Sequence, residues 1–173
     1  MSDCDQTKTD CCAQTGALAQ EHALLKPFVG TFKATVTMWM GPGEPMVSTG
    51  TMTNTLVLGD RFLCHDYKGD ATDGPFPHYE GKGYWGFNTV AGKFEGLWID
   101  SASTGLQTDA GTVDQTGKVW TMLGSMRDPQ SGNPIPKQST ITLHSDDTHT
   151  MEMSFQNPDG SWQRSIKIDY QRI

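Results

Sequence analysis

The sequence predicts an all-β protein: a single closed or nearly closed antiparallel up-and-down β-barrel of about ten strands, with a short N-terminal helix. Three observations lead there. From Thr31 onward the chain is a series of short runs rich in Thr, Val, Ile, Trp and Met, each ended by a turn signal such as Leu58-Gly59-Asp60, Val90-Ala91-Gly92 or Asn157-Pro158-Asp159-Gly160. Within the runs, apolar and polar residues alternate, as a wall with one buried and one wet face requires. A meander of this many strands leaves exposed edges unless it closes on itself.

The elements follow in order. Residues 1–16 hold Cys4, Cys11 and Cys12 among polar neighbours and read as a disordered tail, with the barrel domain over 17–173. Leu18, Leu24, Leu25 and Phe28 recur at near-helical spacing before Gly30, which predicts a helix lying across one end of the barrel. Strands are expected at about 31–40, 46–57, 61–68, 79–88, 93–100, 104–113, 118–126, 137–144, 149–156 and 162–171. In the first, Phe32, Ala34, Val36, Met38 and Met40 share a face; in the last, Trp162, Ile166, Ile168 and Tyr170 do. The connection at 69–78 is long for a hairpin and carries Phe76 and His78. Such a loop is either functional or solvent-facing slack.

Composition narrows the function classes. The 173 residues are enough for one domain with a substantial core. Net charge is −7, from 20 acidic and 13 basic residues, and the basic residues are scattered. Nucleic acid and anionic membrane surfaces are therefore not expected partners. No apolar stretch is long enough to span a bilayer, and the polar first residues lack a secretory layout, so a cytoplasmic address is expected. There is no Gly-x-Ser-x-Gly elbow, phosphate loop or dinucleotide fingerprint.

Two stretches look familiar. Leu24-Leu25-Lys26-Pro27-Phe28-Val29-Gly30-Thr31-Phe32 resembles the opening of the calycin-type barrels, which include lipocalins, fatty-acid-binding proteins and haem-binding nitrobindin-like barrels. In those families a short helix leads into a Gly-x-Trp pair at the barrel floor, and here Phe32 stands at the Trp position. The resemblance implies a basic residue near the last strand set against that aromatic, with Arg172 and Arg164 both qualifying. A second set of motifs runs in order along the chain: Gly41-Pro42-Gly43, Leu58-Gly59-Asp60-Arg61-Phe62-Leu63, Gly81-Lys82-Gly83-Tyr84, Gly92-Lys93-Phe94-Glu95-Gly96-Leu97-Trp98-Ile99-Asp100-Ser101 and Asp169-Tyr170-Gln171-Arg172. Together they resemble the bacterial family known as domain of unknown function 1579, which implies a β-barrel and supplies no activity.

The candidate site residues are Arg61, His65, Tyr84, Trp98, Asp100, Ser101 and Ser103. Trp98 and Asp100 share a strand face, followed by the Ser101 and Ser103 hydroxyls. This is either an aromatic wall ending in polar groups that orient a small ligand, or a core Trp followed by a turn. Arg61, His65 and Tyr67 alternate and so share a face, which is either an inward polar row or a solvated one. Cys64 reads as a small core residue. Paired Met38/Met40 and Met151/Met153 suit a cavity for a variable apolar ligand, a soft-metal element or ordinary core filling.

His144 and His149 flank a tight turn, and either could serve as the single His ligand of a haem. Cys11 and Cys12 could hold a soft metal, although their spacing is not that of a zinc site. The leading expectation is a barrel that binds a small hydrophobic or amphipathic molecule. One alternative is an enzyme acting on a carbonyl or carboxylate compound, with Asp100 as base and Tyr84 or His65 as donor; another is a haem- or soft-metal-binding barrel.

Overall fold

The computed structural model describes residues 15–41 and 43–173. Cys4, Cys11 and Cys12, with most of the predicted tail, lie outside the described residues. A 3-10 helix at Gln20–Phe28 precedes ten strands: β1 (Gly30–Met38), β2 (Met46–Val57), β3 (Phe62–Gly69), β4 (Glu80–Asn88), β5 (Lys93–Asp100), β6 (Gln107–Val113), β7 (Val119–Arg127), β8 (Pro134–Leu143), β9 (Thr148–Gln156) and β10 (Trp162–Arg172). Each strand pairs antiparallel with the next, and β10 returns to β1, so the meander closes into a barrel without a sheet edge. No described helix is long and apolar enough to cross a membrane.

The alternation read in the sequence sets the inner wall. In register, Ala34 on β1 lies beside Tyr170 on β10 and Gly50 on β2, while Val36 lies beside Ile168 and Ser48. Four local expectations change. The helix is 3-10, not α: its buried residues His22, Leu25 and Phe28 recur every third position, the period of that helix, and Leu18 is left exposed. A bulge between Arg164 and Ile166 shifts the register against β9, so Trp162 turns out to solvent while Ile166, Ile168 and Tyr170 stay in. Met40 lies beyond the end of β1 and is exposed, so it does not extend the inner row of Met38. Cys64 pairs with Thr55 and Tyr84 on the outer wall, so it is not a core residue.

Two apolar clusters fill the barrel at different heights. The lower one is the floor: Leu25 and Phe28 of the helix pack against Leu63, Trp85, Phe94, Trp120 and Met122. Phe28 meets Trp85 and Trp120 edge to face, with centroids 5.3 and 5.2 Å away, the arrangement aromatic quadrupoles favour. The upper cluster is Phe32, Ala34, Met52, Tyr67 and Tyr170.

The end of the helix is fastened by side chains from the wall. Its last carbonyls have no partner along the helix. The Arg172 guanidinium donates to Pro27 O at 2.8 Å and to Val29 O at 2.6 Å, and Asn54 Nδ2 donates to Phe28 O at 2.9 Å. Arg172 also donates to Asp146 O in the β8–β9 turn at 2.9 Å and lies 4.5 Å over the buried Phe32 ring. Arg172 therefore takes the place against Phe32, while Arg164 stacks on Trp39 instead. Gly30 makes this approach possible: its φ is +128°, and a Cβ there would meet Arg172 Nη1.

Replacing Arg172 with Met should lower stability by about 2–4 kcal/mol, because three backbone carbonyls lose a charged donor and Phe32 loses its cation. Arg172→Lys should recover less than half of that, since a single ammonium cannot fork between carbonyls. Urea unfolding midpoints check both. A loss below about 1 kcal/mol for Arg172→Met would remove this contact from its central place.

Candidate functional site

The barrel has one closed and one open end. The closed end carries the helix and the β2–β3, β4–β5, β6–β7 and β8–β9 turns around the lower cluster. At the other end, inward residues of β1, β9 and β10 (Val36, Met38, Met151, Met153, Phe155, Ile166 and Ile168) are only half-buried, although all stand on the lumen side of the register. Apolar side chains that point inward and still touch solvent define an open mouth.

Between floor and mouth lies a polar layer. Because Asn54 Nδ2 donates to Phe28 O, its Oδ1 is the acceptor facing His65 Nδ1 at 2.8 Å. His65 must then carry its proton on Nδ1, which leaves Nε2 with a lone pair. His149, on β9, stacks on Tyr170 with centroids 4.3 Å apart and meets the edges of Phe28 and Phe32. Its Nδ1 is buried and has no hydrogen-bond partner among the described residues, as is true of Trp85 Nε1 and Trp120 Nε1 below it. Burial holds His65 down at about 4. Burial, with His65, Arg172 and His144 adding positive repulsion, holds His149 down at about 3. Both imidazoles are therefore neutral near pH 7. The Tyr67, Tyr79 and Tyr170 phenols are pushed up, chiefly by burial, and stay protonated donors.

The long loop after β3 folds onto the mouth through Tyr79. Trp98 Nε1 donates to the Tyr79 hydroxyl at 3.2 Å, and the Trp98 indole lies flat on β4, where Gly81 and Gly83 present no side chain. Asp100, at the end of β5, accepts from Ala102 N at 3.0 Å and from Gln107 Nε2 at 3.3 Å, and its charge also acts on Tyr79. The carboxylate thus sits at the rim and helps tie the 70–79 loop to Trp98.

On β6 and β8, the inner wall carries an ion pair. Lys137 on β8 and Asp109 on β6 approach to 3.2 Å (Nζ to Oδ2) across β7, and their side chains are 4 % and 18 % exposed. Ser139, the next inward residue on β8, is also buried.

The predicted residues divide. His65, Trp98 and Asp100 face the lumen or its rim. Ser101 is exposed at the rim, where its Oγ accepts from Glu80 N at 3.0 Å, and Ser103 is exposed in the loop beyond. Arg61 does not share a face with His65 and Tyr67: it sits in the β2–β3 turn and donates to Leu58 O, Gly59 O and Gly16 O. It clasps a turn in which Leu58, Gly59 and Asp60 all have positive φ. Tyr84 points out from β4 and is 47 % exposed. Asp100 and Tyr84 are on opposite faces of the wall, so that acid–base pair is not assembled.

His144 is exposed beside Thr150 Oγ1, and only His149 of the two enters the lumen. Cys11 and Cys12 lie outside the described residues. Among the described residues, no three His, Cys, Asp or Glu side chains are placed to hold a metal ion.

Sequence reasoning missed Asn54 and the Lys137–Asp109 pair, and it did not separate His149 from His144. For Lys137 a signal was present: Ile135, Lys137, Ser139 and Ile141 alternate with Pro136, Gln138 and Thr140, so the apolar isoleucines mark Lys137 as inward. Asp109 had none, because neither face of β6 is distinctly apolar.

Comparison with known proteins agrees with this architecture. The family model described as "Protein of unknown function (DUF1579)" matches residues 17–172. No curated protein matches the chain significantly. Among solved structures, Rv2717c from M. tuberculosis is similar at a TM-score of 0.64 and 16 % identity, over 91 % of this chain and 99 % of that one. The S-type phycobiliprotein lyase CPES from Guillardia theta is similar at 0.59 and 10 % identity, over 92 % and 95 %. At these identities the likeness is one of fold.

The neutral histidines set an acid limit to stability. The unfolded chain binds protons on them near pH 6.5, whereas the folded chain does so only near 4 and 3. Between those values the unfolded state holds more protons, so stability must fall as pH drops from about 6.5 toward 4. The melting temperature should decrease over this window, and His65→Gln should flatten the slope. The lowered carboxylates Asp66, Asp114, Asp128 and Asp159 act only below their ordinary value of 3.8. A melting temperature independent of pH between 6.5 and 4.5 would show that neither imidazole is held neutral.

Proposed function

The chain belongs to the DUF1579 family, whose description assigns no activity, and on its geometry we propose that it binds a small, largely apolar ligand through the open end of the barrel. One observation carries this reading: inward apolar side chains from Val36 and Met38 on β1 to Ile166 and Ile168 on β10 remain accessible to solvent. A lumen that served only as a core would bury them, at a gain of about 25 cal/mol per Å² of apolar surface. The methionines at the mouth, Met38, Met151 and Met153, suit a ligand of irregular outline. The aromatic and polar groups at the rim, Trp98 and Tyr79, and below it, Tyr67 and His65, supply the few directional contacts that orient a bound molecule. Arg61 and Tyr84, placed outside, have no part in this reading.

A second reading, a haem-binding barrel, is favoured by His149 alone: a neutral imidazole inside the lumen. Haem iron takes a single His ligand, and the bound group would supply its own redox or gas-binding chemistry. The fit is partial, since Tyr170, Phe28 and Phe32 pack around the ring and His149 Nδ1 is sealed.

Titration with the neutral dye Nile red should give a saturable, blue-shifted emission. Val36→Trp, which fills the mouth, should weaken that binding at least tenfold while leaving the melting temperature within a few degrees. Native mass spectrometry of freshly purified protein should show a co-purified small molecule. No dye binding and no added mass would sink the apolar-ligand reading. Added hemin should produce a Soret shift lost in His149→Ala if the second reading holds, and no shift rejects it.

A further inference from the structure

Lys137 and Asp109 are the only oppositely charged pair on the inner wall among the described residues. Lys and Asp are almost never buried unless paired, and here the partners come from strands that are not neighbours. The register explains how they meet: Asp109 lies beside Gly124, and Gly124 beside Lys137, so no side chain on β7 stands between them. On the other flank of Asp109, a Cβ at Gly96 would collide with the carboxylate. Two glycines thus clear a cradle on an otherwise well-filled wall.

The cradle is not saturated. The ammonium has three donors and one partner at 3.2 Å, and neither side chain makes a further hydrogen bond among the described residues. Ser139, 4 % exposed and next to Lys137 on the same inward row, has no hydrogen-bond partner among them either. The Ser139 hydroxyl is not among the sealed, unpaired atoms of the described residues, so it keeps some solvent contact, and with the ammonium and the carboxylate it forms a polar patch whose open valences an incoming molecule can meet. Phe155 lies beside Lys137 in register, and Ile135 is the next inward residue of β8 toward the mouth; both are apolar.

Resting on the ligand-binding reading above, we infer that this patch holds the head of the ligand and that the head is a neutral carboxamide-like group on an apolar chain. The charge balance selects that chemistry. A carboxylate would be drawn to Lys137 and repelled by Asp109, and an ammonium the reverse. A carboxamide accepts from the ammonium through its carbonyl and donates to the carboxylate through its N–H, so both partners gain and the ion pair stays intact. The tail then runs toward the mouth.

The test uses Nile red displacement from the full chain at pH 7 with three probes of equal chain length: decanamide, decanoate and decylammonium. Decanamide should displace the dye at least tenfold more effectively than either charged probe. Asp109→Asn leaves Lys137 as an unopposed cation and should invert the order, with decanoate gaining at least tenfold on decanamide. Lys137→Met/Asp109→Asn replaces both charges, a change buried ion pairs often tolerate, and should reduce the preference to less than threefold. The wild-type series alone decides the matter if either variant fails to fold. Nile red binding with equal displacement by all three probes, or with decanoate preferred, overturns this inference and leaves the ligand-binding reading standing. Failure of Nile red to bind overturns that reading and this inference together.

Discussion

Arg172 is the contact on which the barrel's closed end depends. It sits at the end of β10, yet its guanidinium reaches the helix end through Pro27 O and Val29 O, the β8–β9 turn through Asp146 O, and the buried ring of Phe32. The last strand, the first strand, the helix and a turn are thereby joined at one point. Asn54 completes the arrangement by taking Phe28 O. A helix end buried against aromatic rings has no water for its carbonyls, so these donors are a condition for closing the floor.

With the floor sealed, polar groups inside the barrel become expensive and must be paired or neutral. The same Asn54 that caps Phe28 O also fixes the His65 tautomer, so floor closure and lumen chemistry share a residue. His65 and His149 meet the constraint by staying neutral; Lys137 and Asp109 meet it by pairing. Among the described residues the buried polar atoms left without a partner are His149 Nδ1, Trp85 Nε1 and Trp120 Nε1, all sealed among the aromatic rings.

The mouth is governed by a different balance. Trp98, Tyr79 and Asp100 form a hydrogen-bonded rim that folds the 70–79 loop inward, while the methionines and isoleucines of β1, β9 and β10 are left partly wet. One side of the opening is thus ordered by directional bonds and the other by adaptable apolar surface. That asymmetry is what a site for an amphipathic molecule needs.

The sequence by itself determined the ten strands, the closure and the helix across one end, because period-two alternation and turn residues are local properties of the chain. Its calycin-like opening also called for a basic residue against Phe32, with Arg172 and Arg164 both qualifying, and the alternation put Trp98 and Asp100 on one face of β5. Parity could not be carried from strand to strand. Tyr84 was readable as inward or outward because Trp85 competes for the same wall, and Arg61 lay one residue short of β3, in the turn. The bulge near Ser165 moved Trp162 out of the row that Ile166, Ile168 and Tyr170 keep. Only the tertiary structure brought Asn54 to His65, His149 to Tyr170, and Lys137 to Asp109 across Gly124. Those meetings depend on register around a closed barrel, where residues far apart in sequence become neighbours and a one-residue shift reverses which face each presents.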